Sequence, residues 1–238
     1  MRCLAWGCLC VFFAATSVRA DEPRYGDTAR SADGIGKVYL GREISAVMGW
    51  QGAAWLERAE REQEERTDLL LAALELTPGL HVADIGAGTG YLARRIAAAV
   101  APAGLVHAVD VQPQMVRLLE QRAAAEGLGN LRPSLGREDD VALPPAVIDL
   151  AIMVDVYHEL AYPHEVLASI LRALKPDGRV VFVEYRAEDP QVPIKALHKM
   201  SEAQIRREAE AQGLVWERTV GTLPWQHLVV FRKRAPGA

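Results

Sequence analysis

The chain has 238 residues, of which 50% are hydrophobic and 24% charged, and it carries 27 Lys and Arg against 31 Asp and Glu for a net charge of −4. This length and balance suit a single globular domain with a full hydrophobic core, and they exclude a disordered or fibrous chain. The acidic excess, without any basic cluster, argues against nucleic acid as a partner.

The first twenty residues differ in composition from the rest. Arg2 precedes the mostly apolar stretch 4–17, and Val18-Arg-Ala20 fits a small-residue cleavage site. Because the apolar stretch is short for a membrane span, we predict that residues 1–20 are a cleaved signal peptide. The alternatives are an uncleaved anchor and a start codon placed too early. Cleavage predicts a secreted or periplasmic protein without a stable membrane span, and the alternatives predict a membrane-tethered or cytoplasmic one.

All three cysteines, Cys3, Cys8 and Cys10, lie in this leader. The mature chain is therefore expected to have no disulfide, no thiolate nucleophile and no zinc–thiolate site. Cleavage would also remove Arg2 and Arg19 but no acidic residue, which changes the net charge from −4 to −6.

Residues 21–76 are predicted to form an N-terminal extension. The polar, Gly-rich stretch 21–37 is expected to be mobile or wrapped on the surface. The aromatic and apolar segment 38–55, the charged stretch 56–66 and the apolar stretch 69–76 together predict a helix docked against the sheet edge. The aromatic residues of this segment either pack in the core or form a lid over the binding site.

Residues 77–238 alternate between predicted strands and helices. The predicted strands are 82–85, 105–109, 131–134, 147–154, 179–184, 215–219 and 227–232, and the predicted helices are 92–100, 112–126, 163–174 and 201–213. The last two strands are joined by a short connection, which favours an antiparallel pair. Such a series predicts an α/β fold with a mostly parallel sheet.

A glycine-rich loop follows the first of these strands, in Asp84-Ile-Gly-Ala-Gly-Thr-Gly90. Gly86, Gly88 and Gly90 let the backbone turn sharply and lie close to a ligand. Asp110 ends the second strand, where a carboxylate can accept both hydroxyls of a ribose. This arrangement predicts a nucleoside-binding crevice.

The spacing of the loop indicates which nucleoside binds. A dinucleotide loop needs G-x-G-x-x-G, whereas here the spacing is G-x-G-x-G followed by Tyr91. Asp84 would repel a diphosphate but would pair with an ammonium group. S-adenosylmethionine (SAM) carries an ammonium group, a sulfonium and a ribose, and it has no phosphate.

The stretch 84–90, with Asp110, resembles motif I and the strand-2 acid of the class I SAM-dependent methyltransferases. Residues 148–159 and 171–178 are similar to motif IV and the region after it, most of all in the small-molecule branch that includes the ubiquinone and menaquinone methyltransferases. The resemblance covers roughly residues 77–234. It implies a Rossmann-like three-layer sandwich with a seven-stranded, mostly parallel sheet that ends in an antiparallel strand pair.

The same resemblance implies a role for individual residues. The loop and Asp84 would hold the methionine end of SAM, Asp110 the ribose, and Val111 and Met115 the adenine. Either Glu138 or Asp139 would lie near the adenine amino group, with Asp139 favoured. The expected cofactor-binding residues are Asp84, Gly86, Ala87, Gly88, Thr89, Gly90, Asp110, Val111, Met115, Glu138, Asp139 and Asp155, the last beside the methyl-transfer crevice.

Methyl transfer from a sulfonium is an SN2 displacement, which needs alignment, exclusion of water and removal of any proton on the nucleophile. His158 and Glu159 are the candidate bases, with His158 preferred, and Tyr157 would position the acceptor. The candidate substrate-binding residues at other strand ends and loops are Tyr185, Arg186, His198, Trp225 and His227. Histidines 158, 164, 198 and 227 with Glu159 offer metal ligands, but no tight ligand spacing supports a metal site and none is assigned.

The predicted function is transfer of the methyl group of SAM to an O, N or S atom of a small-molecule acceptor. A non-catalytic SAM- or nucleoside-binding protein and an NAD-type oxidoreductase are the alternatives. An exported enzyme would need SAM, a cytosolic product, delivered to it. The sequence leaves the acceptor and the oligomeric state open.

Overall fold

The computed structural model describes residues 24–234, so the predicted signal peptide and its cysteines lie outside the described residues. The first part of the chain contains β1 Tyr25–Asp27, β2 Gly34–Tyr39, β3 Arg42–Ser45, α1 Ala53–Leu56, α2 Arg61–Glu65 and α3 Thr67–Ala73. It continues with β4 His81–Ile85, α4 Tyr91–Val100, β5 Leu105–Asp110, α5 Pro113–Ala125, β6 Leu131–Leu135 and β7 Ile148–Val154. The remaining elements are α6 Pro163–Ala173, β8 Leu174–Tyr185, α7 Glu202–Ala211, β9 Leu214–Val220 and β10 Gln226–Lys233.

Seven strands form the main sheet in the order β6-β5-β4-β7-β8-β10-β9. The first five of these are parallel, and β10 is antiparallel to both β8 and β9. Both the predicted fold class and the antiparallel pair at the end of the chain are confirmed. Within residues 24–234, no helix combines the length and hydropathy needed to cross a membrane.

Both faces of the sheet are apolar and buried. Along β7, Leu150 and Ile152 face the core that also contains α3, α4 and α5, while Ala151 and Met153 face the core formed with α6 and α7. Successive side chains of a strand point to opposite faces, so a continuous apolar run is what two helical layers require. The apolar strands of the sequence therefore dictate the three-layer arrangement.

The direction of chain winding reverses at the centre of the sheet. From β4 the chain continues to β5 and β6 on one side, whereas β7 and β8 lie on the other. Parallel sheets open a crevice beyond the carboxyl ends of the strands at such a reversal. The loops after β4, β5, β7 and β8 therefore meet there.

The N-terminal extension differs from the helix predicted over residues 38–76. Residues 25–45 form a three-stranded antiparallel sheet, and only short helices follow it before β4. Leu40 and Gly41 both adopt positive φ (45° and 92°), which makes the tight turn between β2 and β3. Tyr39 and Ile44 are buried on either side of that turn. The stretch 21–37, expected to be mobile or wrapped on the surface, thus includes β1 and the first part of β2.

The small N-terminal sheet docks over the carboxyl end of β7. The Arg42 guanidinium binds the fully buried Glu208 of α7 at 2.8 and 3.0 Å and also donates to the carbonyl of His158. The hydroxyl of Ser45 donates to the same carbonyl, at 3.2 Å. The N-terminal extension therefore forms one wall of the crevice.

Candidate functional site

A cavity of about 500 Å³ lies at the carboxyl ends of β4, β5, β7 and β8. Such a volume suits a small-molecule ligand or cofactor. The predicted site residues that line it are Asp84, Gly86, Ala87, Gly88, Thr89, Asp110, Val111, Met115, Glu138, Asp155, His158, Glu159, Tyr185 and His198. Most of the residues predicted for the cofactor are thus brought to one place.

Side chains from other segments pack tightly against the glycine loop that follows β4. A Cβ at Gly86 (φ 71°) would lie 2.6 Å from the side chain of Val156, and one at Gly88 (φ 54°) would lie 2.8 Å from Leu56. Both glycines are therefore required by their backbone conformation and by their neighbours. Gly90 precedes α4 and lies outside the cavity lining.

Most N–H groups of this loop are already hydrogen-bonded within the protein. Those of Gly86 and Ala87 donate to the carbonyl of Val109 at 2.8 and 3.0 Å, that of Gly88 donates to Asp110 Oδ2 at 2.9 Å, and that of Gly90 donates to the carbonyl of Ala87 at 2.8 Å. A loop that cradles phosphate oxygens offers several free N–H groups. These four N–H groups are therefore not free to bind a pyrophosphate.

Asp110 presents hydrogen-bond acceptors to the cavity. Besides the bond from Gly88, its Oδ1 accepts the N–H of Gln112 at 2.8 Å, so each oxygen keeps capacity for a second donor. Burial raises the pKa of the Asp110 carboxyl, and the backbone N–H bonds oppose that rise. A vicinal diol fits this pair of oxygens.

Asp84 is an almost completely buried acid at the base of the cavity. Burial raises its pKa to about 7, with the Arg61 guanidinium opposing the rise and Asp110 adding to it. Arg61 also lines the cavity, and its Nε and Nη1 groups bind Glu65 and the carbonyl of Leu56. One end of the cavity therefore holds both a carboxylate and a guanidinium.

The wall near Asp110 is mostly apolar. Val111, Met115 and Val141 line it, and Glu138 supplies the carboxylate at its edge. Asp139, the favoured acid in the sequence, instead lies outside the lining, with its carboxylate 3.7 Å from Arg137. Of the two adjacent acids, Glu138 is the one placed at the cavity.

His158 lies in the 3-10 turn Tyr157–Glu159 that follows β7. Its Nδ1 is 2.5 Å from Oε2 of Glu184, and both residues are buried. Burial alone would lower the pKa of His158, but the charge of Glu184 and the hydrogen bonds with Glu159 and Glu184 raise it to about 10. In this arrangement the imidazole is a cation at neutral pH, which is unfavourable for the predicted role as general base.

Glu159 and His198 complete a cluster with His158. Glu159 Oε1 lies 3.7 Å from His158 Nε2 and 3.4 Å from His198 Nδ1, and these two ring nitrogens are 3.3 Å apart. Burial would raise the pKa of Glu159, but the two imidazoles beside it lower it. Glu159 Oε2 accepts the N–H of Met48 at 3.2 Å. The carboxylate is thus ionised and fixed from two sides.

Asp155 occupies an unusual position between β7 and the His158 turn. Its φ is 52°, in the left-handed region that residues other than glycine rarely adopt. Oδ2 accepts a hydrogen bond from Gln226 at 2.7 Å, whereas the buried Oδ1 has no partner within residues 24–234. Burial, with Glu65 and Glu184 nearby, raises its pKa well above the ordinary range. A neutral acid is therefore expected there.

Four predicted acceptor-side residues are not in the cavity lining: Tyr157, Arg186, Trp225 and His227. The Tyr157 ring is fully buried and packs edge-on against Phe182 with centroids 4.8 Å apart, so it is a core residue and not a positioning group. Arg186 donates to backbone carbonyls of residues 223–226, which ties two loops together. His227 is buried, and burial lowers its pKa.

Lining residues from two segments were not among the predicted site residues. Val47, Met48, Trp55, Leu56 and Arg61 come from the N-terminal extension, and Pro193, Ile194 and Lys195 come from the loop between β8 and α7. The second group had a detectable signal, because a long loop with apolar residues inside a compact domain is commonly functional. For the first group, the only signal in the sequence was the clustering of aromatic residues in segment 38–55, which suggested a lid.

Residues 83–180 match a family model described as a methyltransferase domain. The chain is 30% identical over 109 residues to a ubiquinone/menaquinone biosynthesis C-methyltransferase of Ectopseudomonas mendocina, covering 45% of this chain and 43% of that protein. It is 32% identical over 114 residues to a nocamycin O-methyltransferase of Saccharothrix syringae, covering 47% and 40%. The chain therefore spans less than half the length of these curated relatives.

The fold is similar to that of a SAM-dependent methyltransferase from Aquifex aeolicus. The TM-score is 0.75 at 23% sequence identity, and the match covers 79% of this chain and 100% of the other. At this identity the likeness concerns the fold.

Proposed function

We propose that this chain, which belongs to the class I SAM-dependent methyltransferases, binds SAM in the cavity and transfers its methyl group to a small-molecule acceptor. The observation that carries the proposal is the pair of buried acids, Asp84 and Asp110, around a glycine loop in which most N–H groups are already bonded. Such a site favours a cationic nucleoside and disfavours a dinucleotide, because the two acids repel a pyrophosphate and few N–H groups of the loop are free to bind it.

The charges at the base of the cavity suit the amino-acid end of SAM. Asp84 is assigned to the ammonium group, and Arg61, beside it, to the carboxylate. A buried acid with a raised pKa binds a cation strongly because the cation supplies the missing counter-charge. We assign Arg61 here although the sequence pattern did not indicate it.

The other end of the nucleoside meets complementary groups. Asp110 is assigned to the two ribose hydroxyls, which donate to its oxygens. Val111 and Met115 supply apolar contact for the adenine, and Glu138 an acceptor for its amino group. These assignments keep the predicted roles, with Glu138 in place of Asp139.

SAM supplies an electrophilic methyl group on its sulfonium when bound. The chain has to align the acceptor with that group and exclude water. Met48, Trp55 and Leu56 of the N-terminal extension line the cavity, in keeping with the hypothesis of a lid. The remaining lining, with His158, Glu159, His198 and Tyr185, is assigned to the acceptor.

A small-molecule acceptor is supported by the relatives, whose names describe C-methylation in ubiquinone and menaquinone biosynthesis and an O-methylation of nocamycin. The net charge of −4 and the largely apolar lining also favour a small organic acceptor over nucleic acid.

The composition of the leader, residues 1–20, supports export. N-terminal sequencing of the protein from periplasmic and culture fractions would test it. Mature chains that begin at Met1 would contradict cleavage.

Calorimetric titration with SAM and with NADH tests the proposal. SAM should bind and NADH should not, and Asp110→Ala should weaken SAM binding about 100-fold or more, since charge-assisted hydrogen bonds contribute about 1.5–3 kcal/mol each. The matched control is Asp177→Ala, an exposed acid near the opposite end of β8, which should change nothing.

Three outcomes separate the alternatives. Failure to bind SAM, or binding unchanged in Asp110→Ala, would contradict the proposal. Mass-shift screening of hydroxylated, amino and thiol acceptors then distinguishes catalysis from binding alone. SAM binding without transfer to any acceptor would favour the non-catalytic alternative.

A further inference from the structure

We propose that His158, Glu159 and His198 bind a divalent first-row transition-metal ion, with Zn²⁺ the best fit, at the acceptor end of the cavity. Within residues 24–234 this is the group of three His, Cys, Asp or Glu side chains whose donor atoms all lie within 4.8 Å of one another. Two imidazoles and one carboxylate are a donor set typical of zinc and of other borderline divalent metals.

The separations of the three donor atoms match an ion at their centre. They are 3.3 Å between the two ring nitrogens, and 3.4 and 3.7 Å from these nitrogens to Glu159 Oε1. Two ligands of a tetrahedral zinc ion with bonds of about 2.0–2.1 Å lie about 3.3–3.4 Å apart. Direct hydrogen bonds are usually shorter, at about 2.7–3.2 Å. The triangle therefore suits coordination better than direct contact.

A buried carboxylate orients the first ligand. Glu184 is fully buried and lies 2.5 Å from Nδ1 of His158. An ion at this site takes the place of the Nε2 proton, so that the Nδ1 proton stays directed at Glu184 and the lone pair is on Nε2, the atom that faces Glu159 and His198. Metal-ligating histidines almost always donate their other N–H to such a partner.

The second ligand is oriented in the same way. The N–H of Met48 occupies Glu159 Oε2, which leaves Oε1 as the oxygen directed at the two histidines. Arg42 and Ser45 hold the carbonyl of His158 from the N-terminal sheet. The turn that carries two of the three ligands is thus fixed before any ion binds.

The cluster borders the cavity and is not sealed within the core. The exposed fraction of the side chain rises from 2% for His158 to 12% for Glu159 and 22% for His198. An ion held by three ligands at a cavity wall keeps a coordination position for a further ligand, as catalytic zinc sites do. The site is therefore placed to bind the acceptor.

The role in methyl transfer rests on the proposed function. A divalent ion lowers the pKa of a bound hydroxyl, so the acceptor class we infer is a small molecule with an oxygen nucleophile. The hydroxyl proton is released to solvent, the O–C bond forms as the S–C bond breaks, and the electron pair stays on sulfur as the thioether product.

Metal titration of the full chain tests the site. Cys3, Cys8 and Cys10 are changed to serine so that thiolates do not compete, and the protein is treated with chelator and dialysed. Calorimetry with Zn²⁺ should show one site per chain, and Mg²⁺, which prefers oxygen ligands, should show none. Co²⁺ should give the absorption bands of a tetrahedral complex.

Single variants then identify the ligands. His198→Ala and Glu159→Gln should each weaken Zn²⁺ binding more than about 100-fold, and Glu184→Gln by about 10–100-fold through loss of orientation. The matched control, His164→Ala on α6, should bind as the parent does. Since His198 is the most exposed of the three ligands, its replacement keeps the test valid even if His158 variants fail to fold.

Failure of the parent to bind one Zn²⁺, or binding unchanged in His198→Ala and Glu159→Gln, would overturn the proposal and leave a hydrogen-bonded ion-pair cluster. SAM titration of the same proteins separates the two proposals. Intact SAM binding without Zn²⁺ binding contradicts the metal site alone. Zn²⁺ binding without SAM binding contradicts the proposed function alone.

Discussion

The buried acid Asp84 has a measurable effect on stability. Burial raises its pKa from the ordinary 3.8 to about 7, so the folded protein holds a proton more tightly than the unfolded chain does. Its contribution to stability is fully present below about pH 4 and is lost as the pH rises to about 7. An asparagine of the same shape has no proton to lose. Asp84→Asn should therefore become more stable than the parent as the pH rises.

The magnitude follows from the pKa. One pKa unit corresponds to about 1.36 kcal/mol, so the free energy of unfolding of Asp84→Asn should gain about 2–3 kcal/mol over the parent between pH 5 and pH 7. Urea unfolding at pH 5, 6, 7 and 8 measures this difference directly. The same variant should bind SAM more weakly, because the carboxylate that faces the ammonium group is gone.

Asp149 provides the matched control with the opposite sign. Its carboxylate lies 2.8 Å from Lys175 Nζ and accepts the N–H of His81. Although burial acts to raise it, the pKa of this carboxyl is lowered by these partners. Its contribution to stability is present at neutral pH and is lost as the pH falls below about 4. Asp149→Asn should therefore be less stable than the parent at every pH from 5 to 8.

A flat difference between Asp84→Asn and the parent across pH 5–8 would refute this reasoning. It would mean that the negative charge of Asp84 is already balanced in the free protein, by Arg61 for example. The assignment of Asp84 to the ammonium group would then lose its physical basis. The result does not depend on knowing the acceptor.

Further predictions concern the fold and the cofactor. Glu208→Ala leaves the buried Arg42 unpaired and should lower the free energy of unfolding by about 3–5 kcal/mol in urea titrations; a change under 1 kcal/mol would contradict the pairing. Gly86→Ala should cost about 1–3 kcal/mol, since it adds a clash at positive φ, and weaken SAM binding by calorimetry; an unaltered variant would show that the loop adapts. Tyr157→Phe should bind SAM with parental affinity, and a large loss of affinity would show that Tyr157 contributes to the binding site. SAM affinity should fall about tenfold per pH unit below pH 7 as Asp84 takes up its proton, and a pH-independent affinity would contradict that assignment.

The central part of the site could be predicted because it is local in sequence. Residues 84–90 combine a strand end, an acid and three glycines, and Asp110 follows at the end of the next strand. The order of these features leaves little choice of arrangement, since parallel strands place their carboxyl ends side by side. The alternation of apolar strands and helices predicted the α/β fold, and the resemblance to the class I methyltransferases implied the seven-stranded sheet.

The acceptor side could not be predicted so well, because its geometry comes from distant segments. Tyr157 and His158 are neighbours in one turn, yet the first ring enters the core and the second borders the cavity. His198 meets His158 across 40 residues, a distance that no ligand spacing in the sequence reveals. The N-terminal strands were not predicted because the hairpin at residues 34–45 packs against Glu208 and the His158 turn, which are far away in the sequence.

The docking of that hairpin has a consequence for the order of folding. Arg42 and Glu208 are 166 residues apart in sequence, and Ser45 binds the carbonyl of a residue 113 positions later. Contacts of such separation carry a high loop-closure entropy and form late. The hairpin is therefore expected to find its place late, so that this wall of the binding site is completed only after the His158 turn and α7 have been made.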